Sequence, residues 1–296
     1  MSDRVFRGDT LFGRKIVFEI GESGGEGVLF SSEQGYDLEF DVKYDCSGEP
    51  PAASCTIYNP PREFGAFMRR VEANSFVGIS AGYGKQFARL YAGNVVPKSI
   101  HFSKNEADWS ILFECVSAGS KYRDSIYSNG LAESKSFEAL FRDVAASANV
   151  RVGTLDLTGL ASPTLPRGRI FHGAAFRLLE QLAQMAKAQL VFDGDSVSLV
   201  RYTKGRNVLE IVPRFSTEDG NLIGSPEEID KGLKIQVLLT PEILPGQQVV
   251  VEYYDRFDNA NRAVRLIAQT VSHKGSNFST EFYTEIEGMI YVPQGP

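Results

Sequence analysis

Short runs in which apolar and polar residues alternate fill two separate blocks of this chain. The predicted strands are rich in aromatic and β-branched residues and end at Gly, Asn or Pro. Those of the first block are Lys15–Ile20, Tyr36–Tyr44, Ala53–Tyr58, Ser75–Ala81, Phe87–Val96 and Trp109–Val116. Those of the second are Val208–Val212, Leu233–Leu239, Gln247–Tyr254, Ala263–Ser272 and Ser279–Glu287. Short strands at this spacing indicate small antiparallel barrels or sandwiches, so we predict a mainly β fold.

Between the two blocks the apolar period changes from that of a strand to that of a helix. An apolar stripe begins at Phe137, with Ser136 as its expected N-cap and Asn149 as its stop. A second helix is expected over 174–188, and the pair Asp193-Gly194 after it predicts a β-hairpin. We therefore predict an N-terminal β-barrel over 1–130, an α/β insert over 131–205 and a C-terminal β-barrel over 206–296.

The ends of the two β blocks resemble each other weakly. Residues 76–96 and 109–119 have the same order of features as 249–271 and 278–288. Each block has a strand, a polar turn, a strand containing Arg between apolar residues, a loop and a final alternating strand. This similarity has two interpretations, a duplicated barrel or two unrelated meanders. A symmetric trimer of a duplicated chain would present six similar barrels in a ring.

Charge and composition exclude some classes of function. Acidic and basic residues are interspersed and the net charge is −6, which argues against a nucleic-acid groove built from Lys and Arg. An acidic surface past which DNA slides stays compatible with that charge. No apolar run reaches the ~20 residues of a membrane span, and the charged N-terminus has no signal-peptide core. We predict no membrane insertion.

The residues that could carry chemistry are scattered. The three histidines, His101, His172 and His273, are far apart and none has a second ligand at metal-binding spacing. The three cysteines are too few for a disulfide framework; we expect reduced thiols, with a Cys46–Cys55 bridge as the alternative. We predict no catalytic, cofactor-binding or metal-binding residues and no cofactor, although a triad assembled from distant residues stays open.

The remaining polar and aromatic clusters favour structural roles. The Gly-rich segment 21–27 lies between two predicted strands and is expected to form a hairpin tip, not a phosphate-binding loop. The adjacent carboxylates Glu218/Asp219 and Glu227/Glu228 would point to opposite faces of a strand, so we interpret them as turn and surface residues. We expect LIGSP, residues 222–226, to form a tight, partly buried turn. Three aromatic residues favour packing between barrels or subunits over a carbohydrate platform: Tyr253, Tyr254 and Phe257.

Several short motifs, taken in order, resemble the baseplate hub proteins of bacteriophage tails. The N-terminal block is similar in IYNP, AGYG and LYAGNV, residues 57–60, 81–84 and 90–95. The C-terminal block is similar in DGNLIGSP, KGL, LLTP and PG, residues 219–226, 231–233, 238–241 and 245–246. The resemblance spans about residues 15–285, and the middle region matches only in its helical character.

This resemblance implies a structural virion protein and not an enzyme. It implies a homotrimeric, pseudo-six-fold ring at the tail baseplate, made in the host cytoplasm, whose lumen is the path of ejected DNA. Its partners would be the tail tube or tube initiator, a trimeric spike or tip protein, and other baseplate proteins, with only transient passage of DNA. Two alternatives from other classes are a tail-associated cell-wall-degrading enzyme and a carbohydrate- or host-binding β module.

Overall fold

The computed structural model describes twelve stretches of the chain. They are residues 13–21, 27–69, 75–84, 86–105, 108–117, 122, 124–131, 136–158, 160–164, 169–193, 196–201 and 212–291. The tip of the Gly-rich hairpin (22–26), the Gly194 turn position and most of the expected strand 208–212 lie outside these residues.

The first β unit contains eight strands and one short helix. The strands are β1 Arg14–Gly21, β2 Gly27–Ser31, β3 Asp37–Asp45, β4 Ala52–Tyr58, β5 Phe76–Tyr83, β6 Gln86–Val95, β7 His101–Asn105 and β8 Asp108–Val116, and the helix is α1 Arg62–Met68. Alternation predicts β3 and β8 well, because every second residue of each is buried. The sequence missed the two shortest strands, β2 and β7, since five residues carry too little periodic signal.

Within the described residues, the middle unit has two complete helices and five strands. Its elements are β9 Ile126–Leu131, α2 Phe137–Ser147, β10 Arg151–Leu155, β11 Arg169–Ala174, α3 Ala175–Met185, β12 Ala188–Asp193 and β13 Ser196–Arg201. Ser136 caps α2 as predicted, its hydroxyl accepting from the Ala139 N–H at 3.4 Å. Asn149 follows α2 at φ +58°, a left-handed conformation suited to the end of a helix. The predicted hairpin is β12–β13, paired from Ala188/Arg201 to Asp193/Ser196.

The last β unit contains six strands. They are β14 Arg214–Ser216, β15 Leu222–Ile229, β16 Gly232–Leu238, β17 Gln248–Asp255, β18 Ala260–Ser276 and β19 Phe282–Ile290. Turns lie at 217–220, where Glu218 and Asp219 were interpreted as turn residues, and at 256–259. The expectation of a tight turn at LIGSP is wrong, because these residues begin β15 and pair with β16. Gly224 at φ +71° lies in a register irregularity between Ile223 and Glu227, so the strand bends where the sequence indicated a turn.

One sheet of fourteen strands runs through both β units. Its order is β15-β16-β19-β18-β3-β4-β8-β6-β5-β1-β2, with β17 on β18, β14 on β17 and β7 on β8. The two units meet where β18 pairs with β3, from Thr270/Asp45 to Ser276/Glu39. The fold class is therefore as predicted, mainly β, with two similar antiparallel units flanking a helix-containing one.

The same strand order occurs in both β units. The first contains β3-β4-β8-β6-β5 and the last contains β15-β16-β19-β18-β17. The weakly similar sequence segments contain β5, β6 and β8 in the first unit and β17, β18 and β19 in the last. These strands occupy equivalent places in the two strand orders. The duplicated interpretation of the two blocks thus agrees with their topology.

Buried apolar residues fall into two clusters. The larger extends from Ile16 to Cys115 and from Phe215 to Ile286, so both β units share one continuous core. The smaller lies in the middle unit and extends from Tyr122 to Leu199. Strand β9, which pairs with β11, crosses the predicted boundary at residue 130 and contributes Tyr127 to the smaller cluster. The domain boundaries themselves stay a prediction.

Candidate functional site

The junction between the two β units contains several polar side-chain contacts. In the ladder between β3 and β18, Asp41 lies opposite Lys274, with Oδ2 3.4 Å from Nζ. The Ser272 hydroxyl donates to Asp41 Oδ1 at 3.2 Å. The Asp41 charge raises the pKa of Lys274, so the ammonium form is favoured.

The loop after β18 forms further hydrogen bonds at the same junction. The side chain of Asn277 accepts a hydrogen bond from the Leu38 N–H at 2.7 Å and donates to the Tyr36 carbonyl at 3.0 Å. The Tyr83 hydroxyl donates to the Phe282 carbonyl at 3.1 Å, and its ring meets the Phe282 ring edge-on at 5.0 Å. Because these contacts join residues about 200 or more apart in sequence, the two β units are held as one body.

His273 lies inside this junction and is fully buried. Its Nδ1 is 2.9 Å from Thr284 Oγ1 on β19, and its ring packs edge-on against Tyr44 at 6.1 Å. Burial lowers the pKa of His273 to about 4, although a backbone hydrogen bond to Ile243 partly opposes this shift. The imidazole is therefore neutral at pH 7, which supports the predicted structural role. His101 and His172 lie exposed on β7 and β11.

The cysteines have the character of core residues. No disulfide joins them; Cys55 and Cys115 are buried on neighbouring strands β4 and β8, and Cys46 is partly exposed. Burial raises the pKa of the Cys55 thiol, with a further contribution from Cys115. A thiol with a raised pKa is a poor nucleophile, so Cys55 is unsuited to covalent catalysis.

The predicted carboxylate pairs lie apart on the surface. Glu218 and Asp219 occupy the turn before β15, whereas Glu227 and Glu228 lie exposed on β15. Across the part of the chain that the structure describes, no three His, Cys, Asp or Glu side chains group as metal ligands. Within the same residues, no helix is long and apolar enough to cross a membrane.

The three aromatic residues near the β17–β18 turn do not share one surface. Tyr253 is partly buried against the main core. Tyr254 is half-exposed and donates its hydroxyl to Asn259, and Phe257 is fully exposed at the tip. A small cleft of about 250 Å³ lies beside them, lined by Ser216, Glu252, Tyr253, Tyr254 and Arg262. Packing explains Tyr253, while an interface role for Phe257 stays a prediction.

A larger open cleft of about 660 Å³ separates α1 from the β7–β8 hairpin. The helix and its C-cap line it with Arg62, Gly65, Ala66 and Arg69, which lie at i, i+3, i+4 and i+7 on one helical face. The hairpin lines it with Phe102, Lys104 and Trp109. A Cβ on Gly65 would lie 3.1 Å from the Trp109 ring, so glycine lets the helix approach closely. Sequence analysis missed this basic cleft because its cations come from two distant elements.

The chain has no match among protein families or curated proteins. No family model matches it, and no curated sequence is significantly similar to it. Its fold, however, is shared with several solved structures.

Three of these similar structures illustrate the range. The 43 kDa tail protein of prophage MuSo2 from Shewanella oneidensis has a TM-score of 0.63 at 10% identity, covering 93% of this chain and 97% of that one. A tail protein from Neisseria meningitidis MC58 has a TM-score of 0.59 at 11% identity, covering 94% and 96%. An Escherichia coli type VI secretion component, described as similar to T4 bacteriophage tail proteins, has a TM-score of 0.58 at 10% identity, covering 86% and 74%. The chain therefore has the fold of these tail proteins.

Proposed function

We propose that this chain is a structural protein of a bacteriophage tail, and specifically a baseplate hub. Three copies would form a pseudo-six-fold ring that joins a six-fold tail tube to a three-fold spike or tip. The ring's lumen would be the path of the ejected DNA. The protein would be made in the host cytoplasm and end in the virion. The fold shared with tail proteins over nearly the whole chain supports the structural part of this proposal.

The observation that carries the ring is the repeated strand order within one continuous sheet. Each chain contributes two similar β units, β3-β4-β8-β6-β5 and β15-β16-β19-β18-β17, fixed together by the β18–β3 ladder. Three such chains around an axis present six similar units. An object of this kind matches a six-fold partner with one face and a three-fold partner with the other.

The β1–β2 hairpin is the candidate contact to the tail tube. Strand β2 ends the fourteen-stranded sheet and pairs only with β1 within the described residues. Val28 and Leu29 on β2 are 37% and 49% exposed. Exposed apolar residues on an unpaired edge favour pairing with another protein.

The two alternative functions lack a supporting arrangement within the described residues. A cell-wall-degrading enzyme needs an activated nucleophile or a pair of carboxyl groups in one cleft, and the described lining of the basic cleft has no carboxylate or histidine beside Ser103. Zymography on cell-wall material tests that alternative. Binding to a glycan panel, compared with that of Tyr254→Ala beside the small cleft, tests the carbohydrate module.

Electron microscopy of the purified protein tests the proposed ring. We expect class averages along the axis to show six lobes around a central hole with three-fold symmetry. Co-purification with the tail-tube and spike proteins of the same tail then tests the hub position. Particles with only two β lobes at every concentration, and no co-purification with either neighbour, would contradict the proposal.

A further inference from the structure

Strand β18 has an interrupted counterpart in the first β unit. The first part of β18 pairs with β17 and the part from Thr270 to Ser276 pairs with β3, while β19 lies along its other side. In the first unit, β6 pairs with β5 and β7 pairs with β8. A 3-10 turn at Pro97–Ser99 separates β6 from β7. Proline lacks the N–H that a continuous strand would use there, which explains the interruption. By position, β7 is therefore equivalent to the second part of β18.

This equivalence leaves two strand edges without a described partner. The second part of β18 pairs with β3 on its far side, but β7 pairs only with β8. Strand β3 pairs with both β4 and β18, but its counterpart β15 pairs only with β16. Within the chain, the second part of β18 pairs with β3. The equivalent strands β7 and β15 each have a free far edge among the described residues. These two edges could therefore form the same kind of junction with each other.

The two unpaired edges carry opposite charge. Lys104 lies on β7 and shares the basic cleft with Arg62 and Arg69. On β15, Glu227 and Glu228 are exposed, and the turn after it exposes the opposite charges of Asp230 and Lys231, so this edge keeps a net negative charge. No ion pair joins any of these seven side chains to another residue in the described ranges. The internal junction shows the same chemistry, since Lys274 on β18 faces Asp41 on β3.

We propose that β7 of one chain pairs in antiparallel orientation with β15 of a second copy of this chain, repeating the β18–β3 junction between subunits. The contact is head-to-tail, so three copies around a three-fold axis could close into a ring, whereas a two-fold axis cannot relate the two strands. The opposite charges would favour this partner and this orientation. Pairing would also cover two edges that otherwise invite aggregation. The inference rests on the proposed trimeric ring and names the strands that close it.

Engineered disulfides test this contact directly. Ser103 on β7 is replaced by Cys, together with one position on β15: Ile223→Cys, Ser225→Cys, Glu227→Cys or Glu228→Cys. These positions cover both faces and several registers of β15. The background carries Cys46→Ser, because Cys46 is partly exposed whereas Cys55 and Cys115 are buried. A disulfide needs Cα atoms about 4.4–6.8 Å apart, a distance that directly opposed strand residues satisfy.

The matched control moves one cysteine to a different exposed strand. Asn129→Cys on β9 replaces Ser103→Cys and is combined with the same four β15 positions. Every variant is measured by light scattering before oxidation and by non-reducing electrophoresis after it. We expect trimers in solution and, for at least one β7–β15 pair, a shift of the monomer band to dimer and trimer bands that reducing agent reverses. The control pairs stay in the monomer band.

The other outcomes separate this inference from the proposed function. A trimer that none of the four β7–β15 pairs cross-links would overturn the strand pairing and leave the ring intact through another contact. Cross-linking by the Asn129 control to the same extent would also overturn it, because the reaction would then be unselective. A monomer at every concentration, without cross-links, would reject the ring and this contact together.

Discussion

Gly275 shows how closely the junction is packed at the level of single atoms. A Cβ at this position of β18 would lie 2.4 Å from two ring carbons of Phe40 and 3.2 Å from the Phe282 ring. Both rings are buried, so they have little room to move. Gly275→Ala is therefore expected to lower the free energy of unfolding by about 1–3 kcal/mol. Denaturant titration measures this change.

The control for that substitution is Gly130→Ala. No atom lies within 4 Å of a Cβ built on Gly130, which is also a strand residue. We expect its effect to stay within about 0.5 kcal/mol. Equal destabilisation by the two substitutions would show that strand glycines are generally sensitive, and not that the junction is tightly packed.

The buried imidazole of His273 should make stability depend on pH. Its pKa is about 4 in the folded chain, against about 6.5 for an exposed histidine. Between these values the unfolded state binds a proton that the folded state does not, so stability falls as pH decreases from 6.5 to 4. This contribution is at most about 1.4 kcal/mol per pH unit for one proton. Below pH 4 it no longer changes.

The measurement is the slope of unfolding free energy against pH between 4 and 6.5. His273→Gln should have a shallower slope than the unmodified protein, whatever its absolute stability. His172→Gln, at an exposed position on β11 outside the proposed contact, is the control and should keep the original slope. Identical slopes for all three proteins would mean that His273 does not carry this dependence.

At the scale of elements, Asn277 fastens the loop after β18 to the start of β3. Asn277→Ala removes the acceptor of the Leu38 N–H and the donor to the Tyr36 carbonyl. Leaving these groups unpaired costs about 1–3 kcal/mol, and less where water reaches them. We expect faster hydrogen exchange at residues 36–38 and a lower unfolding free energy. Asn261→Ala, at the exposed β17–β18 tip, should leave exchange at residues 36–38 unchanged.

The sequence predicted correctly those elements whose own residues show a clear apolar period or a capping residue. Alternating apolar and polar residues identified β3 and β8, and a serine cap with a helical apolar stripe identified α2. Strand β15 was mistaken for a turn because Gly224 and Pro226 are typical of turns and most of its side chains are exposed. Its pairing with β16 supplies the order that the local residues do not specify.

The candidate sites were hidden for a related reason. The Asp41–Lys274 contact joins residues whose numbers differ by more than two hundred, and the basic cleft combines α1 with the β7–β8 hairpin. No local spacing predicts such neighbours without the topology. The weak sequence repeat did indicate a long-range feature, because its segments correspond to the strand order that both β units share.

At the scale of the whole molecule, the fixed arrangement of two equivalent β units is what the proposed hub would need to meet partners of two symmetries. The large shared core and the β18–β3 ladder make a single building block. The edges of β7 and β15 are the surfaces through which three blocks would close a ring.

The molar mass of the purified chain, measured by light scattering across a concentration series, tests this account most directly. One chain has a mass of 32.6 kDa. A trimeric ring gives a plateau at three times that mass as concentration rises and no two-fold dimer, because the proposed contact joins two different surfaces. A constant mass of one chain at every concentration, or a plateau at two chains, would contradict it.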